Sequence, residues 1–302
     1  MKQKEPIPDM ELSILIPVHN EDCVERVVAL KRQCDAIDDL RYEIIVMDDG
    51  STSAETVEAD RAIVSMEHCR LVERGVNRGS AATRNELADI SRYRWLLFLD
   101  SDMDIPEAGF IRRYAGMMSE EAVVNGGIAI AECPELEHGN LRYMYERAEE
   151  ARHTAAERRR RPYQSFRSTN FMIPKAWMSY CRFDAAKAGY EDVFFGRMLK
   201  EQGRKIIHID NPTLMRRFEE NPRYMDKIDH SLDVLYDHRT DFRGYSRLIT
   251  YVNELRHVMP LSLVRLWHRV MGQWERRRLA GHHPWLLLFR LYQLGYYVSK
   301  ME

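Results

Sequence analysis

The chain has 302 residues, 45% of them hydrophobic and 30% charged, with a formal net charge of -2. That length and apolar content suffice for one large α/β core with an appendage, or for two small domains. The balanced charge gives no general pull toward nucleic acid, and no uncharged apolar run reaches the roughly 18 residues a membrane-spanning helix needs.

Leu12–Val18 is a nearly continuous apolar run, the pattern of a strand buried on both faces, and Pro17 marks its release into a loop. His19-Asn20-Glu21-Asp22 follows, where Asn20 or Asp22 can cap a helix to about Cys34 with Val24, Val27, Val28 and Leu30 as its apolar face. Tyr42–Met47 reads as the second strand and ends in Asp48-Asp49-Gly50-Ser51-Thr52; Gly50 permits a tight turn, and Ser51, Thr52 or Ser53 caps the next helix. A short third strand is expected at Arg70–Glu73, and Asn77–Asn85 opens a helix. Its small first residues, its dipole and Arg84 suit a bound anion, although a capped helix with a surface arginine accounts for the same residues.

Trp95–Leu99 is the fourth strand and stops abruptly at Asp100, Asp102 and Asp104. In open α/β sheets the carboxyl edge is where ligands bind. Two carboxylates one serine apart suit a hard divalent cation that also contacts phosphate oxygens; alternatively they form a solvated acidic turn. Four strands alternating with helices specify a parallel sheet with right-handed crossovers.

After Pro106 a helix is expected to about Met118, then a strand over Ala122–Ile130 in which Gly126-Gly127 marks a bulge or a close approach by substrate. Leu136–Arg161 reads as one long charged helix whose terminal arginines, Arg158 to Arg161, either complement its dipole in solvent or grip phosphate or anionic lipid. Ser165–Ile173 is a further strand carrying Thr169 and Asn170. Glu191 and Asp192 stand at the start of a helix over Val193–Gln202 that Gly203 closes, a place where the helix dipole stabilises acids for purely structural reasons. Lys205–Ile209 reads as the final strand.

Beyond Tyr224 the pattern is helical only. From Asp237 on, eleven basic residues face five acidic ones, a net charge of +6. Leu261–Trp274 and Trp285–Val298 are rich in tryptophan and tyrosine, which suits an interfacial helix on anionic lipid or a helical appendage packed on the main domain or in a dimer. The five cysteines, Cys23, Cys34, Cys69, Cys133 and Cys181, are scattered without paired metal spacing, and Met1–Pro6 lacks the apolar core of a signal peptide. Both point to the cytoplasm, with attachment to the inner face of a membrane left open.

Five segments stand in a telling order: Leu12–Glu21, Ile44–Thr52, Asn77–Asn85, Leu97–Asp102 and Gly189–Asp192. Together they resemble the family-2 glycosyltransferases of the GT-A fold over about residues 11–220. The resemblance implies an α/β, Rossmann-like architecture with a mostly parallel central sheet flanked by helices, over residues 1–225, and a helical C-terminal extension over 226–302. It further implies an enzyme that moves a sugar from a nucleotide-diphosphate-sugar to an acceptor hydroxyl with inversion, in surface polysaccharide or glycan assembly.

On these positions the resemblance puts Pro17, Val18, Asn20 and Glu21 against the nucleotide, with Asp48 or Asp49 on its base or ribose. Arg84 joins the anion-directed set from its own position. Asp100 and Asp102 match the metal motif for Mn2+ or Mg2+, and Asp192 matches the catalytic base. Glu191 would orient that base or hold an acceptor hydroxyl, and Gly126, Gly127, Thr169 and Asn170 would line the sugar or acceptor pocket. One position departs: where relatives carry a histidine after Asn-Pro-x-x, this chain has Met215, with Arg216 or Arg217 or His230 as substitutes. The implied partners are the donor and a glycan, lipid-linked or other hydroxyl acceptor, not nucleic acid, with a homo-oligomer left open. The alternatives are a non-catalytic nucleotide-sugar-binding or scaffold protein of the same fold and a nucleotidyltransferase; the latter would want a glycine-rich, lysine-bearing phosphate loop that Pro17–Glu21 lacks.

Overall fold

The computed structural model describes residues 10–106, 109–118, 121–187 and 189–301. The reading of Met1–Pro6 therefore lies outside the described residues, as do positions 107 and 108 of the helix expected after Pro106. The elements in chain order are β1 (Met10–Val18), α1 (Val24–Asp35), β2 (Leu40–Asp48), α2 (Ala54–Asp60), β3 (Cys69–Glu73), α3 (Ser80–Ile90), β4 (Trp95–Leu99), β5 (Met103–Asp104), α4 (Phe110–Ala115), β6 (Val123–Asn125) and β7 (Ile128–Ile130). Then come α5 (Leu141–Glu149), α6 (Ala155–Arg160), β8 (Asn170–Pro174), α7 (Glu191–Glu201), β9 (Ile206–His208), β10 (Thr213–Met215), α8 (Asn221–Asp237), α9 (Arg247–Leu255), α10 (Leu261–Leu279) and α11 (Leu286–Ser299).

They form two compact units. Among the described residues, the first runs to Ala129 and adds Arg152–Ala186 and Glu191–Met215; the second comprises Ile130–Ala151, Lys187–Tyr190 and the residues from Arg216 on, so the C-terminal helices share their unit with α5. In the first unit a seven-stranded sheet has the order β3-β2-β1-β4-β8-β6-β9. β1 pairs in parallel with β2 and β4, β2 with β3, and β6 with β9, while β8 is antiparallel to both its neighbours. The mostly parallel α/β sheet is thus observed, with one reversed strand.

Successive side chains of a strand point to opposite faces, and here both faces are covered. Leu12, Ile14 and Ile16 of β1 pack with Val27, Leu30, Ile111 and Tyr114 from α1 and α4. Leu15, Met47, Leu96 and Phe98 pack on the other face with Ala81 and Leu87 of α3 and Phe195 and Leu199 of α7. In the second unit Leu141, Tyr224, Met225, Leu279, Phe289 and Tyr292 make a separate core.

Several sequence expectations change. The strand expected over Ala122–Ile130 is two strands in different sheets, because Gly126-Gly127 breaks it: β6 stays in the main sheet and β7 joins β10 and β5. The long helix expected over Leu136–Arg161 is α5 and α6, begun by separate caps: Asn140 Oδ1 accepts from Tyr143 N (2.9 Å) and Thr154 Oγ1 from Glu157 N (3.3 Å). The strand in Ser165–Ile173 starts at Asn170 and ends at Pro174, and Ile206–His208 is followed by one more strand, β10. Ser53 caps α2 as read, accepting from Thr56 N (3.4 Å). Of the two residues offered as caps for α1, Asp22 accepts from Val24 N (3.0 Å), whereas Asn20 turns to the second loop.

Gly50 is irreplaceable for two reasons. Its φ is +69°, and an added Cβ would lie 2.5 Å from Asn77 N and 2.7 Å from Val76 C, both backbone atoms. Gly50→Ala should therefore destabilise the protein by about 2–4 kcal/mol, combining left-handed strain with an overpacked backbone contact. Urea unfolding followed by circular dichroism checks this: the midpoint falls while the slope stays constant.

Candidate active site

Apart from Arg216, Arg217 and His230, which belong to the second unit, the candidate residues lie in the first unit, at the edge where β1, β2, β4 and β6 end. Parallel strands bring those ends side by side, so the register Val18↔Asp48 sets the loops after β1 and β2 next to each other. They are then tied together. Asn20, at φ +57°, accepts with Oδ1 from Thr52 N (2.7 Å) and Ser53 N (3.0 Å), and its own N–H donates to Ser51 Oγ (2.7 Å). Val18 O accepts from Asp49 N (2.8 Å), and Pro17 pairs with Met47. Glu21 follows, partly exposed.

The paired acids after β2 have different duties. Asp48 Oδ1 accepts from Ser51 N (3.0 Å) and from the Ser51 hydroxyl, while its other oxygen takes no hydrogen bond among the described residues. Asp49 is used up: Oδ1 accepts from Arg78 N (2.9 Å) and Arg74 Nη1 (3.0 Å), and Oδ2 from Gly79 N (2.8 Å). Asp49 therefore sits at the start of α3 and supplies, from within the chain, the anion which that helix end attracts.

Arg84, one turn into α3, is not a surface residue. It is 5% exposed, and its Nη2 donates to Asp100 Oδ1 (2.6 Å) with the guanidinium 5.5 Å from the centre of the Phe183 ring. Burial alone would lower its pKa, but the carboxylates of Asp100, Asp192 and Glu191 outweigh burial and hold it above the ordinary arginine value. Asp100, Glu191 and Asp192 are thus gathered around one buried cation. Glu191 is anchored again by the Ser80 hydroxyl, which donates to its Oε1 (3.1 Å) and links the starts of α3 and α7.

The turn after β4 is held from the other side. Asp100 N donates to Thr169 O (3.0 Å), so partly exposed Thr169 borders the acid motif. Two residues on, the Asp102 side chain is partly exposed and leads into β5. In the β5–β10 ladder Met215 lies opposite Met103, which puts the position of the missing histidine beside the residue after Asp102. Met215 is 6% exposed, and a thioether is a soft, weak donor. Among the described residues no three of His, Cys, Asp and Glu converge as a ready-made metal cage. Asp102 and Asp100 offer only hard oxygens, which fits a Mn2+ or Mg2+ ion that draws its remaining ligands from substrate phosphates and water.

Gly126, Gly127 and Asn170, which the resemblance would place along the sugar or acceptor pocket, are buried. Asn170 is fully buried: Oδ1 accepts from Tyr114 OH (2.6 Å) and Nδ2 donates to Gly127 O and Asn211 O (2.9 Å each). A Cβ on Gly126 would meet Asn211 O at 2.4 Å, and one on Gly127 would meet Arg158 Nη2 at 2.5 Å. The close approach there is made by the protein's own polar groups.

Arg158 is the residue that sequence reasoning missed. Far from ending a solvated helix, it is 4% exposed and donates to Asn125 O (3.1 Å), Gly126 O (2.9 Å), Ile209 O (2.8 Å) and His153 O (3.0 Å). Its Nη1 also lies 3.0 Å from His208 Nδ1, while His208 Nε2 lies 2.8 Å from Pro162 O. A guanidinium can only donate and a carbonyl can only accept, so His208 is neutral with its proton on Nε2. Only the two glycines signal this site in the sequence: Gly126 brings its carbonyl to the guanidinium and Gly127 leaves room for it.

The sequence pattern of Glycosyl transferase family 2 matches residues 13–188, which takes in every candidate except Glu191, Asp192 and the later positions Met215, Arg216, Arg217 and His230. Two curated relatives are 35% identical over short stretches. The poly(ribitol-phosphate) beta-glucosyltransferase of Bacillus spizizenii matches over 108 residues, 35% of this chain and 17% of that protein. The dodecaprenyl-phosphate galacturonate synthase of Rhizobium johnstonii matches over 114 residues, 34% and 32% respectively. The chain thus spans a third or less of either relative. The mannosyltransferase PcManGT of Pyrobaculum calidifontis, solved with GDP-Man and Mn2+, shares the fold at a TM-score of 0.59, with 14% identity over 95% of this chain and 84% of that one.

The Arg158 network makes a pH prediction. Burial, with the nearby arginines adding to it, lowers the His208 pKa to about 4 from its ordinary 6.5. The unfolded chain then binds a proton at His208 that the folded chain refuses, so stability falls as pH drops from about 7 to about 4, by about 3 kcal/mol at most. Denaturant titrations of wild type and His208→Gln across this range should give curves that converge toward acid, the variant losing less; parallel curves would refute it.

Proposed function

The chain belongs to glycosyl transferase family 2, and from that membership we propose that it transfers a sugar from a nucleoside-diphosphate donor to an acceptor hydroxyl with inversion. The observation that carries the reading is the gathering of Asp100, Glu191 and Asp192 around buried Arg84 at the carboxyl edge of the sheet.

Asp192 acts as the base. As the acceptor oxygen forms its bond to the anomeric carbon, that carbon's bond to the diphosphate breaks on the opposite face. The hydroxyl proton passes to the Asp192 carboxylate, and the bonding electrons leave with the nucleoside diphosphate. Glu191, fixed by Ser80, orients Asp192 or holds the acceptor hydroxyl. Arg84 fixes Asp100 and thereby the turn that presents Asp102, while Thr169 forms the adjoining wall. A divalent cation held by Asp102 and Asp100 would neutralise charge on the departing diphosphate.

The loops carrying Pro17, Val18, Asn20 and Glu21 face the nucleotide. Of the two acids after β2, Asp48 is the one with an oxygen to spare for base or ribose, since both oxygens of Asp49 already serve the start of α3. The names of both curated relatives contain a phosphate-bearing chain, poly(ribitol-phosphate) in one and dodecaprenyl-phosphate in the other, which supports a phosphate-bearing polyol or lipid-linked acceptor that offers a hydroxyl and a place in surface-glycan assembly.

Calorimetric titration with a panel of nucleoside diphosphates should show one saturable partner whose binding Mn2+ strengthens and Asp102→Ala weakens. Asp192→Asn should retain that binding and cut sugar transfer by roughly 10²–10⁴-fold. Metal-indifferent binding would remove the cation from the reading, and a folded chain that binds no nucleotide would favour the scaffold alternative.

A further inference from the structure

Helix α10 is built inside out. Its inner face carries His268, Gly272, Glu275 and Leu279, with Glu275 fully buried. Its outer pole carries Leu263, Leu266, Trp267, Val270 and Trp274, a single stripe at steps of three and four residues whose members are each between 50% and 69% exposed. Apolar stripes normally turn inward, and this one is locked outward. The His268 ring occupies the space left by two glycines: a Cβ on Gly272 or on Gly295 of α11 would come within 2.8 or 2.7 Å of it. The Trp267 indole N–H reaches inward to Glu275 Oε1 (2.8 Å), leaving the ring's apolar body outside.

The segment that carries the stripe is strongly basic. From Arg256 to Met301 there are eight arginines and lysines and a single acid, the buried Glu275. Arg276, Arg290 and Lys300 are paired within the same unit to Asp226 and Asp229, Glu149 and Asp233. Arg269 and Arg277 are exposed on α10 itself, and no carboxylate is paired to either among the described residues. Trp285, Leu287 and Val258 add exposed apolar surface in this unit.

We infer that α10 lies on an anionic lipid surface, its Leu-Trp-Val stripe entering the boundary between headgroups and acyl chains and its arginines meeting lipid phosphates. Charge complementarity selects this occupant over a second copy of the chain, since a symmetric contact through the stripe would bring two sets of uncompensated arginines together. No described helix is long and apolar enough to cross a membrane, and α10 would lie along the surface. The inference does not depend on the sugar-transfer reading, and neither does its test.

The full chain is floated with phosphatidylglycerol/phosphatidylcholine vesicles and with phosphatidylcholine alone. Partition onto the anionic vesicles should be at least about tenfold stronger, fall with added salt and shift tryptophan emission to the blue. The double variant Leu263→Glu/Val270→Glu changes only exposed positions and should lose about tenfold of that binding at an unchanged melting temperature; Arg269→Glu/Arg277→Glu should lose the preference for anionic lipid. Absence of binding, equal binding to both vesicles, or binding that the first double variant leaves intact would overturn the inference. So would a dimer in sedimentation velocity that the same variant dissolves, which would assign the stripe to a second copy.

Discussion

The first unit depends on keeping one buried guanidinium neutralised. Arg84 cannot give up its proton, and an ion taken out of water costs several kcal/mol unless it is well paired. Its ion-pair partner, Asp100, comes from the end of β4, and Glu191 and Asp192 at the start of α7 add electrostatic attraction. A single charge on α3 therefore constrains two loops that the sheet alone would leave free to diverge. The cation–π contact with Phe183 and the Ser80–Glu191 bond point the same way. Removing Arg84 would leave three carboxylates to repel one another at the place where an anionic donor must bind.

Arg158 meets the same demand with different means. Among the described residues its guanidinium forms no ion pair; it donates to backbone carbonyls at the ends of β6 and β9, with the Asp210 carboxylate acting on it electrostatically. Asn125 O and Gly126 O already accept from Ile209 N (3.1 Å) and Asn211 N (3.3 Å), and a carbonyl oxygen has a second lone pair to offer. One fork of donors therefore adds a second bond at Asn125 O and Gly126 O and also reaches Ile209 O and His153 O, and Gly127 must be bare to leave room for it. Each glycine makes room for a hydrogen-bonding group of the protein itself.

These two arginines divide what the sequence reveals from what it hides. β1, β2 and β4 are plain because a continuous apolar run that ends in acids fits a strand buried on both faces and little else, and the acids do come together at the sheet edge. Strand direction is less visible: β8 reads like any other apolar run, and only its pairing with β4 and β6 shows that it runs backward. The reading of Leu136–Arg161 as one helix followed its charged, helix-forming composition and passed over the caps at Asn140 and Thr154. Ion pairing is hidden most deeply. Nothing local separates Arg84 and Arg158, both buried, from Arg160, which is exposed and bonded only to nearby Glu157.

Helix α10 carries the same tension into the second unit. By periodicity, Leu263, Leu266, Trp267, Val270 and Trp274 belong in a core, and His268 and Glu275 belong in water. The fold reverses both assignments, and the reversal has a cost: Glu275 is a fully buried carboxylate, His268 Nδ1 stands 3.5 Å from its Oε2, and burial lowers the His268 pKa against the opposing pull of Glu275. A chain optimised for stability alone would rotate the helix and replace those two residues with leucines. Where local pattern and burial disagree so consistently along five positions, the stripe answers to a surface outside the fold rather than to the fold itself.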